Sequence, residues 1–162
     1  MMTLDGFFAG PAGEIDWHNV DREFNDFAID QLKEIDTLIF GRITYELMAS
    51  FWPTPEAIRT DPVVASGMNR SEKIVFSLTL DKAGWNNTRL VTGDMIAEVR
   101  SLKQGSGKDL TVLGSGSIVA QLAPAGLIDE YQLMLNPVAV GGGKSMFAGV
   151  SPVVKLKLVR DR

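Results

Sequence analysis

The sequence predicts an α/β domain whose mixed, mostly parallel sheet is covered by helices on both faces and ends in antiparallel strands. Two observations carry this. A short apolar run that stops at glycine and turns into a helical pattern occurs twice, at Thr37-Leu-Ile-Phe-Gly41-Arg-Ile-Thr-Tyr45 and at Leu110-Thr-Val-Leu-Gly114-Ser-Gly-Ser-Ile118; such runs suit strands buried on both faces. Further on, Tyr131, Leu133 and Leu135 alternate with Gln132, Met134 and Asn136, and Val154, Leu156 and Leu158 alternate with Lys155 and Lys157. That period of two marks antiparallel strands with one wetter face.

Between Asn19 and Ile35, Phe24, Phe27, Ala28, Leu32 and Ile35 fall on one helical face, with Asn19 or Asp21 able to cap the start. Thr37–Phe40 reads as a buried strand. After Gly41, Thr44, Leu47, Met48 and Phe51 recur at helical spacing up to the Trp52-Pro53 stop. The stretch 55–69 contains Pro62 and mixed polarity and reads as irregular or weakly helical. Lys73–Ser77 is rich in β-formers, Asn86-Asn87 is turn chemistry, Thr88–Val91 suits a further strand, and Asp94 caps a helix to Lys103. Gln104–Lys108 is a loop. Leu110–Leu113, a helix through Leu122 and a strand from Glu130 read as a right-handed βαβ unit, with Pro124 and Gly126 ending its helix.

The 162 residues suit one domain over 1–162, and 45% hydrophobic with 22% charged residues is ordinary for a globular protein. The start of the chain lacks a basic secretory signal and no apolar run spans a bilayer, so the expectation is a cytoplasmic protein without membrane partners. The absence of cysteine removes thiol nucleophiles, thiolate metal sites and a zinc deaminase centre; no metal is expected. A net charge of −4 without basic clusters argues against nucleic acid as a partner.

The two junctions look like phosphate cradles, because a strand turning directly into a helix leaves N-terminal amides unpaired at the positive end of the macrodipole. Two of them on one sheet suggest a dinucleotide. Arg42 and Thr44 add a cation and a hydroxyl to the first, and Gly114-Ser-Gly-Ser117 would let a ligand approach the backbone of the second. Each has a bland alternative as a tight turn. The Rossmann fingerprint is excluded because position 119 is Val, and a Walker loop at Gly105-Ser-Gly-Lys108 because Asp109 stands where Ser or Thr should bind magnesium.

Met2-Thr-Leu-Asp-Gly6, Asp16-Trp17, Phe40-Gly-Arg-Ile-Thr-Tyr-Glu46, Lys73-Ile-Val-Phe-Ser77 and Val112-Leu-Gly-Ser-Gly-Ser-Ile118, in this order and spacing, resemble the dihydrofolate-reductase-like superfamily. Within it the chain is similar to standalone proteins related to the C-terminal reductase domain of riboflavin biosynthesis. The resemblance implies a three-layer α-β-α sandwich that binds NADPH across the carboxyl ends of its strands and reduces a small-molecule substrate. It implies that Gly41, Arg42, Ile43 and Thr44 hold cofactor phosphates and that Ser77, Leu78 and Thr79 lie by the adenosine end. It also implies that Gly114, Ser115, Gly116, Ser117 and Ile118 clasp the pyrophosphate and approach the nicotinamide. Leu4, Asp5 and Gly6 would cover the nicotinamide, with Asp16, Trp17 and Asp21 on the substrate side.

Reduction of an imine or carbonyl consumes a proton, and Asp5, Asp16 and Asp21 are the candidate acids. Asp5 before Gly6 is equally a turn pair and Asp21 a helix cap. Trp17, Phe24, Met48 and Trp52 are candidate walls of a substrate pocket, aromatics at helical spacing being equally core. His18 reads as a polar loop residue. Compared with the family pattern, the opening strand is reduced to Met1–Leu4 and a closing apolar strand is missing. The substrate acid of dihydrofolate reductases has no secure counterpart, Asp21 and Glu23 being only near its place. An antiparallel edge near Val153–Val159 would allow pairing with a second copy as a homodimer.

Overall fold

A computed structural model describes residues 1–151 and 153–161. Its centre is a four-stranded, all-parallel sheet in the order β5-β4-β3-β6, formed by β3 (Ile35–Gly41), β4 (Glu72–Phe76), β5 (Thr88–Val91) and β6 (Asp109–Val112). β3 lies between β4 and β6, with Ile39 opposite Ile74 on one side and Val112 on the other. From Thr37 to Phe40 its side chains are buried on both faces, which is why this part reads as one continuous apolar run.

Alternation along β3 separates two cores. Leu38 and Phe40 pack with Val64, Met68, Tyr45 and Trp85 beneath α1 (Arg22–Glu34), α2 (Arg42–Phe51) and α4 (Pro62–Arg70). Ile39 faces the opposite layer, where α5 (Met95–Leu102) and α6 (Gly116–Leu122) contribute Met95, Val99, Ile118 and Leu122. The result is a three-layer α-β-α sandwich. The Tyr45 hydroxyl accepts the Trp85 amide at 2.9 Å, fixing the first turn of α2 over the sheet.

Two short ladders flank this sheet. β1 (Met2–Thr3) pairs parallel with β7 (Leu135–Asn136), and β2 (Phe7–Ala9) pairs antiparallel with β8 (Lys144–Ser145). Both ladders join the beginning of the chain to its last third, but only β2–β8 is antiparallel: Leu135–Asn136, in the stretch whose alternation suggested an antiparallel strand, pairs parallel with β1.

Several elements differ from the sequence reading. The stretch 55–69, which reads as irregular or weakly helical, is helical: it forms α3 (Pro55–Thr60) and most of α4. Pro55 and Pro62 occupy first-turn positions, where a missing N–H costs nothing, and the side chains of Thr54 and Asp61 accept the amides of Ala57 and Val64. The strand expected from Glu130 is reduced to Leu135–Asn136, and it pairs with β1 in place of β6, so the βαβ unit does not close on the main sheet. Met2 donates to the Met134 carbonyl at 2.7 Å, so the opening strand takes this partner. No strand forms over the described residues 153–161, and Val153, Leu156, Leu158 and Val159 are exposed. A strand exists only through its ladder, and these residues have none; the edge on which a homodimer was expected is therefore not formed. On α2 the buried side chain is Tyr45, while Leu47 and Phe51 from the expected apolar stripe are half-exposed.

Candidate functional site

The main sheet reverses its direction of growth between β3 and β6: from β3 the chain adds β4 and β5 on one side, then returns to place β6 on the other. Parallel sheets bind ligands in the crevice beyond the carboxyl ends of the strands flanking such a point. Those ends are Gly41 and the residues after Val112, the two strand–glycine–helix junctions.

The junctions touch. The Gly41 amide donates to the Ser115 hydroxyl at 2.9 Å inside a buried contact, and the side chain of Thr44 lies in van der Waals range of a Cβ placed on Gly114. To reach this position, Gly114 and Ser115 both adopt left-handed backbone, with φ of 59° at each. For serine that conformation costs about 1–3 kcal/mol, so the joint is held by its surroundings.

Helix capping separates these two helices from the others. Asp21, Thr54, Asp61 and Asp94 each cap a helix with a side-chain oxygen. Gly41 and Ser115, which precede α2 and α6, offer no side-chain cap. The first amides of α2 therefore keep their donor capacity and the favourable end of the helix dipole.

A groove of about 630 Å3 runs over these ends. Its walls include Gly41, Arg42, Ile43 and Thr44 from the first junction and Ser115, Gly116, Ser117 and Ile118 from the second. Ser77 and Leu78, beyond β4, line its other side. Thr79 lies outside the lining; its amide and that of Leu80 donate to the Ser77 hydroxyl, closing a tight turn. Arg42 is half-exposed and its guanidinium meets Glu46 at 2.9 Å one turn along α2. The exposed pair is weak enough to yield to an anion.

At its other end the groove meets a cleft of about 2160 Å3 between α1, α2, the free edge of β6 and the segment 127–134. Phe24, Met48 and Trp52 line this cleft, together with Leu47 and Phe51, so the α2 stripe that leaves the core forms its apolar wall. The Trp52 indole N–H donates to the Met48 sulfur at 3.2 Å.

Other candidates are placed elsewhere. Trp17 lines neither cavity; its indole nitrogen is buried without a hydrogen-bond partner among the described residues, and its ring stands edge-on to His18 at 4.4 Å. Leu4 is 67% exposed and also outside both linings, so Phe8 from β2 approaches the second junction instead. A Cβ on Gly116 would stand 2.6 Å from the Phe8 ring, so the close approach expected there of a ligand is made by the protein itself. None of the three candidate acids lines either cavity. Asp5 accepts the amides of Val140 and Gly141 at 3.0 and 2.7 Å; the Thr3 hydroxyl and then the Gly141 amide hold its carboxyl below the usual range. Asp21 caps α1 through the Phe24 amide and accepts from the Asn19 side chain, and Asp16 is exposed.

Two residues without a role in the sequence reading enter the site. His18 lines the cleft with Nε2 buried and unpartnered among the described residues, and burial, with a smaller contribution from the N-terminal charge, lowers its pKa. Lys144, from β8, lines both cavities.

Comparison with known proteins agrees with this architecture. The chain is 34% identical over 163 residues to the uncharacterized protein YyaP of Bacillus subtilis (strain 168), covering 99% of this chain and 84% of that protein. The uncharacterized protein YwjB of the same strain is 26% identical over 159 residues, covering 97% and 84%. The crystal structure of the "Putative riboflavin biosynthesis protein" of Shewanella sp. PV-4 superimposes with a TM-score of 0.72 at 23% identity, over 98% of this chain and 86% of that one. The RibD C-terminal domain family matches residues 1–161. With the whole described sandwich inside that match, the chain belongs to the RibD C-terminal domain family, a family of reductase-like domains.

Proposed function

We propose that the chain is a reductase that binds NADPH along the groove and reduces a small heterocyclic, carbonyl or imine substrate in the cleft. The observation that carries this reading is the pairing of the two helices without side-chain caps at the sheet's reversal point, open onto one groove. The amides of Arg42, Ile43 and Thr44, with the Arg42 guanidinium, suit the cofactor phosphates. Ser117 suits the pyrophosphate on the facing side, and Ser77 and Leu78 the adenosine end. NADPH, when bound, supplies a hydride; what the chain supplies is orientation and a largely apolar cleft beside it. Asp5 is held ionised and Asp21 is engaged as a cap, so neither is placed to supply the proton that completes the reduction.

The test is titration with NADPH, following tryptophan fluorescence or heat. Saturable binding is expected. Arg42→Ala weakens it by about 10- to 100-fold, the loss of one charged phosphate contact. No saturable change with the wild-type chain overturns the reading.

The exclusion of all three candidate acids from the two cavities favours a second reading, a nucleotide-binding module without catalysis. That protein would bind NADPH with the same dependence on Arg42 and show no cofactor oxidation across a panel of carbonyl and heterocyclic substrates.

A further inference from the structure

The groove and the cleft share six lining residues, Phe8, Ile43, Thr44, Ser115, Gly116 and Lys144. Five are uncharged. Lys144 is the one cation at this junction, and it has neither an ion-pair nor a hydrogen-bond partner among the described residues, whereas Arg42 in the groove is matched by Glu46 and Lys103 in the cleft by Asp129. Its backbone is fixed: β8 pairs Lys144 with Ala9, and a Cβ on the preceding Gly143 would stand 2.3 Å from the Ala9 carbonyl oxygen, so the two strands come together only with glycine there. Room for the side chain is kept as well. A Cβ on Gly13 would stand 3.1 Å from the Lys144 ammonium. On the same loop the Glu14 carboxylate turns inward to the Ala12 amide and forms no ion pair with Lys144. A cation on a strand paired to β2, left unpaired among the described residues between two cavities, is built to receive an anion.

We propose that Lys144 anchors the substrate, which is a small heterocyclic or carbonyl compound carrying an oxyanion group, a carboxylate or a phosphate, seated on this ammonium. The assignment rests on the reductase reading for what happens next to it, but the anion site is measurable without turnover.

The test titrates pyrazine-2-carboxylate, its neutral isostere pyrazine-2-carboxamide and inorganic phosphate into the protein, with and without saturating NADPH, using tryptophan fluorescence and calorimetry. The carboxylate, the phosphate or both bind, an anion being favoured over the carboxamide by about tenfold or more. Which anion binds tells a carboxylate-bearing substrate class from a phosphate-bearing one. Lys144→Met reduces this preference to about twofold or less, while Lys144→Arg keeps most of it. Absence of saturable anion binding overturns the proposal, as does an equal affinity for carboxylate and carboxamide without phosphate binding. A preference that survives in Lys144→Met, or an effect of that variant on NADPH affinity alone, overturns it too. If NADPH fails to bind while the unloaded protein keeps a preference that Lys144→Met removes, the reductase reading falls and the anion site stands.

Discussion

The Ser115 hydroxyl accepts the Gly41 amide in a buried contact. Ser115→Ala leaves that amide without an acceptor and is expected to cost about 1–3 kcal/mol, read as a lower urea midpoint at unchanged slope. Nothing local in the sequence marks this role, because a hydrogen bond across 74 positions and a left-handed serine have no spacing signature. The glycines of the second junction are legible as close-approach positions, but their neighbours are not: Phe8 takes the place expected of a ligand at Gly116, and the Thr44 side chain stands over Gly114. Lys73 was hidden by its strand. Only 1% exposed, it donates to the carbonyls of Met68, Asn69 and Ser71 and lies over the Trp85 ring, and burial pushes its pKa down to about 8. Between that value and the ordinary 10.5 the unfolded chain holds a proton that the folded chain has released, so this group's contribution to stability increases as pH rises through the window. Relative to Lys73→Met, the wild-type urea midpoint is therefore expected to climb from pH 8 to 10.5; parallel profiles would contradict it.

Among the elements, those specified by local chemistry were legible. α1 begins at the Asp21 cap, α5 at the Asp94 cap, and β3, β4 and β5 where the apolar runs stand. The helices over 55–70 were obscured because proline was weighed as a breaker when it occupies a first turn. Asp61 terminates α3 and caps α4, so Asp61→Ala should cost about 0.5–2 kcal/mol with a loss of helical circular dichroism at 222 nm on heating. Strands of the last third were misread for a different reason. Alternation says which face of a strand is wet, but not which partner it takes, and Leu135–Asn136 pairs with the opening strand through a contact that no local pattern encodes.

At the scale of the molecule, fold class and groove were legible together, since a sheet of parallel strands with helices on both faces leaves one place where two strand ends open side by side. The apolar cleft was legible only in part: Phe24, Met48 and Trp52 line it, Trp17 does not, and Leu47 and Phe51 are on its wall and not in the core. If the groove binds NADPH, a concentration of about 100 times the dissociation constant raises folding stability by about 2.7 kcal/mol, visible as a higher melting temperature that Arg42→Ala diminishes at the same concentration. No helix among the described residues is long and apolar enough to cross a membrane.

The ladders that bring Phe8 and Lys144 to the groove join residues 2–9 to residues 135–145. A growing polypeptide on the ribosome can assemble the four parallel strands once residue 112 has emerged, but its first strand must wait for residue 136 and its second for residue 145 before either has a partner. Throughout that interval the nascent chain carries the strand ends of the groove without Phe8 and Lys144 held beside them.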